Sequence, residues 1–455
     1  MRLSGLKLSL NSSAVAAIEQ LQVYHTGTEA GFNNKSPLAT HTPIREQVNI
    51  PLSMEVQPGL NYLWVSATLK PKANMDGPVL LQATAVTDNN GNNYNLEKAS
   101  DVAPKRIAIA VRKAWDDSVH TYRIPGIITT DKGTLIAVYD IRYKHSGDLP
   151  ANVDVGMSRS TDGGRTWEPM KIIMDMGAPH ENNGVGDPSI LFDPVTKKIW
   201  VSALWSKGNR SIAGSQPGLS PDETGQFVLV SSSDDGLSWT APHSITPQVK
   251  NPAWKLFFPG PGNGIAMQSG RLVFPAQYWD GAHMPHSTLV YSDDHGATWK
   301  SGIGAKSNTT EAQLVETAPG TIMINMRDNR GRYRSVATTT DMGKTWTEHR
   351  TSYSALIDPV CMASFIRAKV RVGGKLQDVL FFSNVASQTA REDMSIKASM
   401  DMGETWPAHN KLLVDERRSF GYSVLTPVDE NTMGLLYEGE RDLYFIRVPV
   451  SEIIK

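Results

Sequence analysis

Apolar residues along this chain fall into short runs with β-type patterning: LNYLWVSATL, GTLIAVYDIR, KKIWVSALW, GQFVLVSSS, GRLVFPAQY, GTIMINMRD, DVLFFSNV and TMGLLYEGE. Gly, Pro, Asn and Asp punctuate them, and helical periodicity is scarce. Short turn-bounded strands of this kind predict an all-β protein. SSAVAAIEQLQVYH alone is ambiguous, readable as a short helix or as a strand.

A second pattern lies over the first. Residues 160–167 read STDGGRTW, and near-copies follow as SSDDGLSW (232–239), SDDHGATW (292–299), TTDMGKTW (339–346) and SMDMGETW (399–406). The tryptophans recur about 50–70 residues apart, the period of a propeller with one four-stranded blade per unit. Within each copy a Gly supplies the positive φ of a tight turn, and Asp with Ser or Thr can bond the turn's own amides. The Trp is expected to pack the turn onto its blade. These turns therefore read as scaffold more readily than as ligand or ion sites. Each copy follows a strand ending such as VGMSRS or TLVYS, which places it between the third and fourth strands of a blade. Five copies plus one blade without a copy predict six blades. IAIAVRKAW and DLYFIRVPV, at opposite ends of the region, are expected to share that blade and close the ring, leaving no exposed sheet edge.

A boundary is expected near EKASDVAPKR (97–106). It separates a small N-terminal β-sandwich, residues 1–104, from a six-bladed β-propeller, residues 105–455. The 455 residues are 40% hydrophobic and 20% charged, with ample length for a large core. A formal net charge of -1 does not point to nucleic acid or an anionic membrane as partner. No apolar run reaches the ~18–20 residues of a membrane helix, and the N-terminus lacks the apolar stretch of a signal peptide. The single cysteine, Cys361, excludes an intrachain disulfide, and no Cys/His spacing suggests zinc. His283 and His286 in GAHMPHS read as a polar loop rather than as metal ligands. One cysteine fits both cytoplasmic and exported bacterial proteins.

If the turns are scaffold, chemistry belongs on other loops. Arg123 lies in HTYRIPG, where Pro125 interrupts ladder pairing. Arg327 ends the apolar run TIMINMR, and Arg391 follows FFSNVASQTA. Each alone reads as a surface or ion-paired arginine. Three from separate blades, converging on one carboxylate, would make a strong anion site.

Tyr-Arg-Ile-Pro at 122–125, followed by repeated S-x-D-x-G-x-T-W turns, resembles the bacterial exo-α-sialidases, or neuraminidases, over roughly residues 107–455. The turns alone are moderately specific; their combination with YRIP and the spaced residues below is strong. The resemblance implies a six-bladed propeller and a carboxylate-binding triad of Arg123, Arg327 and Arg391. It implies Asp148 in SGDLPAN as acid/base, Glu311 in TEAQLVE with Tyr422 in FGYSVL as base and nucleophile, and Glu438 in LLYEGE holding the first arginine. Arg142 in YDIR and Asp187 in GVGDPS match a pair that contacts the sugar. Tyr122 stands where Phe is commoner, and the loop LLVDERRSFGYS is long and charged.

The chemistry fits those residue types. Sialic acid carries a carboxylate on its anomeric carbon, so three arginines orient and neutralise it. A carboxylate nucleophile would face that charge, whereas a phenol does not; sialidases are known exceptions, with a Tyr nucleophile, to the two-carboxylate scheme. A phenol of pKa ~10 needs a partnered base. Asp148 would protonate the leaving oxygen and then activate water, which calls for a raised pKa; desolvation would supply it and nearby arginines would oppose it. Taken singly, Asp148 and Asp187 read as turn residues, Tyr422 as packing, Glu311 as a solvated charge, Glu438 as an edge ion pair, and Arg142 as a bridge to Asp140 or Asp154. Trp254, Gln277 and Tyr278 are candidate contacts to the glycerol chain or aglycone, or propeller packing.

The expectation is therefore a retaining exo-α-sialidase acting on sialylated glycans, needing no cofactor or metal. The sandwich either binds carbohydrate or braces the propeller. A trans-sialidase, an intramolecular variant and a non-catalytic sialic-acid-binding propeller stay open; Asp148, Glu311 and Tyr422 together speak against the last. Substrates on extracellular glycans imply export, to the periplasm, cell surface or medium, with any leader absent from this chain.

Overall fold

A computed structural model describes residues 1–32, 36–97, 105–208 and 210–455. The chain forms two compact units, Met1–Ile107 and Ala108–Lys455. The boundary expected between 104 and 105 adjoins residues 98–104, which lie outside those described.

In the first unit, strands Gln47–Glu55, Arg2–Leu10, Leu81–Asp88 and Asn93–Asn95 form one sheet, in that order, and Ala39–His41, Ile18–His25 and Leu63–Leu69 a second. Leu6, Leu8 and Ile50 from one sheet share a core with Leu21 and Val23 from the other, the arrangement of a sandwich. The ambiguous segment is both helix and strand. Asn11 Oδ1 accepts the N–H of Ala14 at 2.9 Å and caps a helix over Ser12–Ala17, and the β-branched Ile18 opens the strand that follows.

Among the described residues the second unit is built of six blade sheets, antiparallel except where Gly262–Asn263 runs parallel to Asn183–Phe192, and a short ribbon of Arg332–Tyr333 with Ile357–Asp358. Blade 1 comprises Thr121–Thr129, Leu135–Arg142, Val153–Ser160 and Lys171–Met174. Blade 2 comprises Asn183–Phe192, Ile199–Lys207, Gln226–Ser232 and His243–Ser244. Blade 3 comprises Leu256–Pro259, Leu272–Trp279, Pro285–Ser292 and Lys300–Ser301. Blade 4 comprises Thr309–Ala318, Thr321–Asp328, Ser335–Thr339 and Thr347–Glu348. Blade 5 comprises Ser364–Val372, Lys375–Val385, Met394–Ser399 and Lys411–Asp415. Blade 6 takes Ser423–Asp429, Thr432–Glu438 and Leu443–Pro449, and its outer strand is Ile109–Arg112. Ile109 pairs with Phe445 and Ala110 with Tyr444, so the two ends of the unit close the ring as expected. The first strands of neighbouring blades meet near the axis, where Gly262–Asn263 inserts among those of blades 1, 2, 4 and 6. Asn263 ties them together: its Oδ1 accepts the N–H of Ile127, and its Nδ2 donates to the Leu425 carbonyl, each at 3.2 Å.

All five repeated octets link the third and fourth strands of blades 1–5. Blade 6 has none because its fourth strand comes from elsewhere in the chain. In each turn the Asp is satisfied locally. Asp294 Oδ1 accepts from Ser292 Oγ and from the Thr298 amide, both at 2.8 Å, and Oδ2 accepts from Thr298 Oγ1 at 2.6 Å. Trp299 and Trp406 pack on their own blades, against Phe274 and against Phe365 and Phe382, and several turns also grip the preceding blade. Trp167 meets Phe445 of blade 6 at 5.3 Å, Trp299 meets Trp200 of blade 2 at 6.0 Å, and Arg447 of blade 6 donates to the Gly163 carbonyl at 2.7 Å. The octets thus lock blades to one another.

These turns carry an acid dependence. Hydrogen bonds from Ser238, Thr298 and Thr345 hold Asp234, Asp294 and Asp341 down to about 2. A carboxylate lowered by folding stabilises fully above its unfolded pKa of ~3.9 and loses that contribution as pH falls through the folded value. Denaturant midpoints of the wild type should therefore fall between about pH 4 and pH 2. Asp341→Asn should be less stable at pH 7 and should lose less on acidification.

Candidate active site

The Arg123 end of blade 1 is shaped by Pro125. Having no N–H, it breaks the ladder: Arg123 pairs with Asp140, and pairing resumes only at Gly126 with Val138. Ile124 is left at φ 54, an unusual conformation for a β-branched residue. Glu438, fully buried in blade 6, holds it. Glu438 Oε1 accepts from the Ile124 amide at 2.9 Å and from Arg123 Nε at 3.1 Å, while Oε2 accepts from the Tyr422 amide at 3.0 Å. One carboxylate therefore sets both the first arginine and the backbone of the tyrosine. Gly421, at φ 91, makes the turn into Tyr422; a Cβ there would lie 3.1 Å from the Cys361 Sγ. That lone thiol is buried and pushed up to about 12, chiefly by desolvation, so it is not a nucleophile.

Tyr422 is where blades 1, 4, 5 and 6 converge. Its hydroxyl donates to Glu311 Oε1 at the start of blade 4. Arg327 Nη1 donates to the same hydroxyl at 3.1 Å and to Glu311 Oε2 at 2.8 Å. The Arg123 guanidinium lies 5.2 Å from the Tyr422 ring and that of Arg391 5.8 Å from it. Arg123 also stacks on Phe420 at 4.3 Å. Arg391 is fixed by donating to the Phe420 carbonyl at 2.8 Å and the Val360 carbonyl at 3.3 Å. Arg327 Nε is buried without a partner, a donor left for an anion. Burial, joined by the charge of Glu311, raises the Tyr422 phenol well above its ordinary value, against Arg327 and Arg123. Tyr422 therefore rests as a neutral phenol bonded to a carboxylate.

Asp148 stands over this floor on the loop between the second and third strands of blade 1. Its Oδ1 accepts from Arg142 Nη1 at 2.8 Å and lies 3.7 Å from Arg123 Nη1; its side chain is 67% exposed. Burial would raise its pKa, but Arg142, Arg123 and Arg327 outweigh it and hold the carboxyl below its ordinary value. The raised pKa expected of an acid catalyst is thus not present in the open site, because three guanidinium charges face one half-solvated carboxylate.

Arg142 is nearly fully buried and largely committed. Its Nε and Nη2 donate to Asp140 Oδ2 at 3.1 and 2.8 Å, and Nη1 also reaches the Ser146 carbonyl at 2.7 Å. The bridge to Asp140 exists alongside the contact to Asp148. Asp140 in turn accepts the Asp187 amide at 2.9 Å. Burial raises Asp140 to about 6 against Arg142. Burial also raises Asp187 well above its ordinary value, with the charges of Asp140 and Asp148 adding to the effect and Arg142 opposing it. Asp140, expected only as an ion-pair partner of Arg142, also joins Asp187 to the site. Its signal is the spacing in YDIR, since residues two apart on a strand share a face.

Trp254 and Tyr278 stack on each other at 3.8 Å, and Tyr278 stacks on His286 at 4.8 Å, the geometry of packing within blade 3. Gln277 is buried. His286 bonds Asp280 at 3.2 Å.

Three arginines from different blades surround a phenol hydrogen-bonded to a glutamate, on a propeller with five such turns. Residues 133–435 match a BNR repeat-like domain, and residues 1–92 match the N-terminal domain of BNR-repeat neuraminidase. A sialidase of Bacteroides fragilis is 41% identical over 97% of this chain and 87% of its own length. A sialidase of Micromonospora viridifaciens is 36% identical over 70% of this chain and 50% of its own. The solved structure of a Hadza microbial sialidase, Hz136, superposes with a TM-score of 0.91 at 40% identity, covering all of this chain and 94% of that one. The chain belongs to the BNR-repeat neuraminidases, the sialidases among the glycoside hydrolases.

Proposed function

We propose that this sialidase is an exo-enzyme that removes terminal sialic acid from glycoproteins, glycolipids or oligosaccharides with retention of configuration, through a Tyr422-linked intermediate. The observation that carries this reading is the Tyr422–Glu311 hydrogen bond at the centre of three arginines from different blades. Arg123, Arg327 and Arg391 hold the substrate carboxylate. Tyr422 attacks the anomeric carbon while its proton passes to Glu311. Asp148, which takes up a proton once the substrate carboxylate offsets the three guanidinium charges, gives it to the departing glycosidic oxygen. In the second half, Asp148 takes a proton from water, the water oxygen bonds the anomeric carbon as the bond from that carbon to the Tyr422 oxygen breaks, and the released phenolate recovers its proton from Glu311. Asp187 and Arg142 line the sugar's hydroxyl side, and Glu438 positions Arg123. Nucleophile, acid and cations are all side chains, so these steps call on no metal or organic cofactor. Substrates on extracellular glycans place the enzyme outside the cytoplasm, in the periplasm, on the surface or secreted.

Proton NMR of the first turnovers tests this: α-sialic acid is expected to form first and then mutarotate. Free β-anomer as the first product would overturn retention, and an anhydro sugar would overturn hydrolysis.

Asp148 matters most where the leaving group needs a proton. Asp148→Asn should lose on the order of 10²–10⁴ in kcat on a lactose sialoside. It should keep a near-wild-type burst of phenolate from an activated aryl sialoside, whose leaving group departs unaided, with steady-state turnover then limited by the unassisted attack of water.

A further inference from the structure

The loop that carries Asp148, residues 143–152, reaches away from its own blade. Directly after the carboxylate, Leu149 packs against Leu204 of blade 2 and Leu256 and Phe258 of blade 3, beside Ile212 and Trp279. Two residues on, the Ala151 carbonyl lies flat on Gly184 of blade 2. A Cβ built at Gly184 would fall 2.3 Å from that carbonyl oxygen and 2.4 Å from Leu149 Cδ2. Behind the loop is a cavity of about 180 Å³ lined by Lys144, His145, Pro150, Ala151, Asn152 and Glu181. The loop's polar contacts there are peripheral, an exposed Lys144–Glu181 ion pair among them. The two ends of the loop are tied by the Tyr143 amide donating to the Asn152 carbonyl at 3.4 Å, and within it Arg142 holds the Ser146 carbonyl and Asp148 itself.

We infer that Leu149 is a positioning residue: seated in the apolar socket of blades 2 and 3 over Gly184, it fixes Asp148 at the distance from the anomeric carbon that proton donation to the leaving oxygen requires. The inference rests on the reading of Asp148 as acid/base. Arg142, with Arg123 beside it, pulls the carboxylate down toward the arginine floor. The Leu149 anchor sets how far along the rim it can stand, and so whether it meets the leaving oxygen once substrate occupies the floor. Shortening Leu149 frees the loop toward the cavity behind it. Proton transfer is sensitive to such shifts, because a misplacement of about 1 Å can cost on the order of 10²-fold. Binding of the substrate carboxylate, which Leu149 does not touch, is spared.

The test is steady-state kinetics of Leu149→Ala, Leu149→Met and Gly184→Ala on two substrates, 3′-sialyllactose and 4-nitrophenyl α-sialoside, with Asp148→Asn alongside. Leu149→Ala is expected to lower kcat/KM on sialyllactose by about 10²-fold, with affinity for free sialic acid and kcat/KM on the nitrophenyl substrate, which reports the first step alone, each within about threefold. Leu149→Met, of similar volume, should recover most of the loss, and Gly184→Ala, which pushes on the same loop, should share the selectivity. An equal fall of Leu149→Ala on both substrates overturns the positioning role. If Asp148→Asn itself fails to discriminate the substrates, the assignment of the acid falls first. Selective Asp148→Asn with unselective Leu149→Ala overturns only the anchor.

Discussion

Tyr422→Phe should lose at least about 10³-fold in kcat on every sialoside, activated or not, equivalent to ~4 kcal/mol of transition-state stabilisation. The phenyl ring keeps the packing and its place between Arg123 and Arg391, so the carboxylate floor survives. Calorimetric titration with free sialic acid should show affinity within about tenfold of wild type, 1.4 kcal/mol or less. The lack of discrimination between leaving groups distinguishes this variant from Asp148→Asn, because nucleophilic attack is needed whatever departs. Turnover retained near wild type would remove Tyr422 from the mechanism.

Glu438→Ala should cost the most stability of any single change in the pocket. The carboxylate is fully buried and accepts from Arg123 Nε and from the amides of Ile124 and Tyr422. Deleting it leaves a buried guanidinium without its partner, a loss of about 3–5 kcal/mol, with two amides newly unpaired. Ile124 would also lose what holds it at positive φ. The denaturant midpoint should fall accordingly, and residual activity should show a raised KM. Glu438→Gln keeps the shape and loses the charge, and should lie between the two. A midpoint unchanged in Glu438→Ala would mean that Arg123 finds another anion.

Much of this architecture was legible because it is written in local patterns. The octets mark strand ends, and β-rich runs at either end of the propeller pair as Ile109 with Phe445. The site residues follow in chain order, and the fold brings Tyr422, Glu311 and the three arginines together. What sequence did not yield depends on distance rather than on pattern. The protonation of Asp148 is decided by guanidinium groups on three strands. The grip of Trp167 on Phe445 joins neighbouring blades at the ring's seam. Asp140 lies among apolar residues of a buried strand, where its part as the bridge between Arg142 and Asp187 is visible only once two blades are side by side.

Closing the ring through the last sheet also sets a clock. Arg123 is synthesised 315 residues before Glu438. At about 5–20 residues per second, the growing chain carries that cation for roughly 15–60 s before its counter-charge exists. Until then blade 1 has no finished neighbour on one side, and the tyrosine that the arginines surround has not been made. Catalytic competence therefore arrives all at once, only after Glu438 has been made. The half-made chain, with open sheet edges, is the species most in need of protection from its neighbours on the polysome.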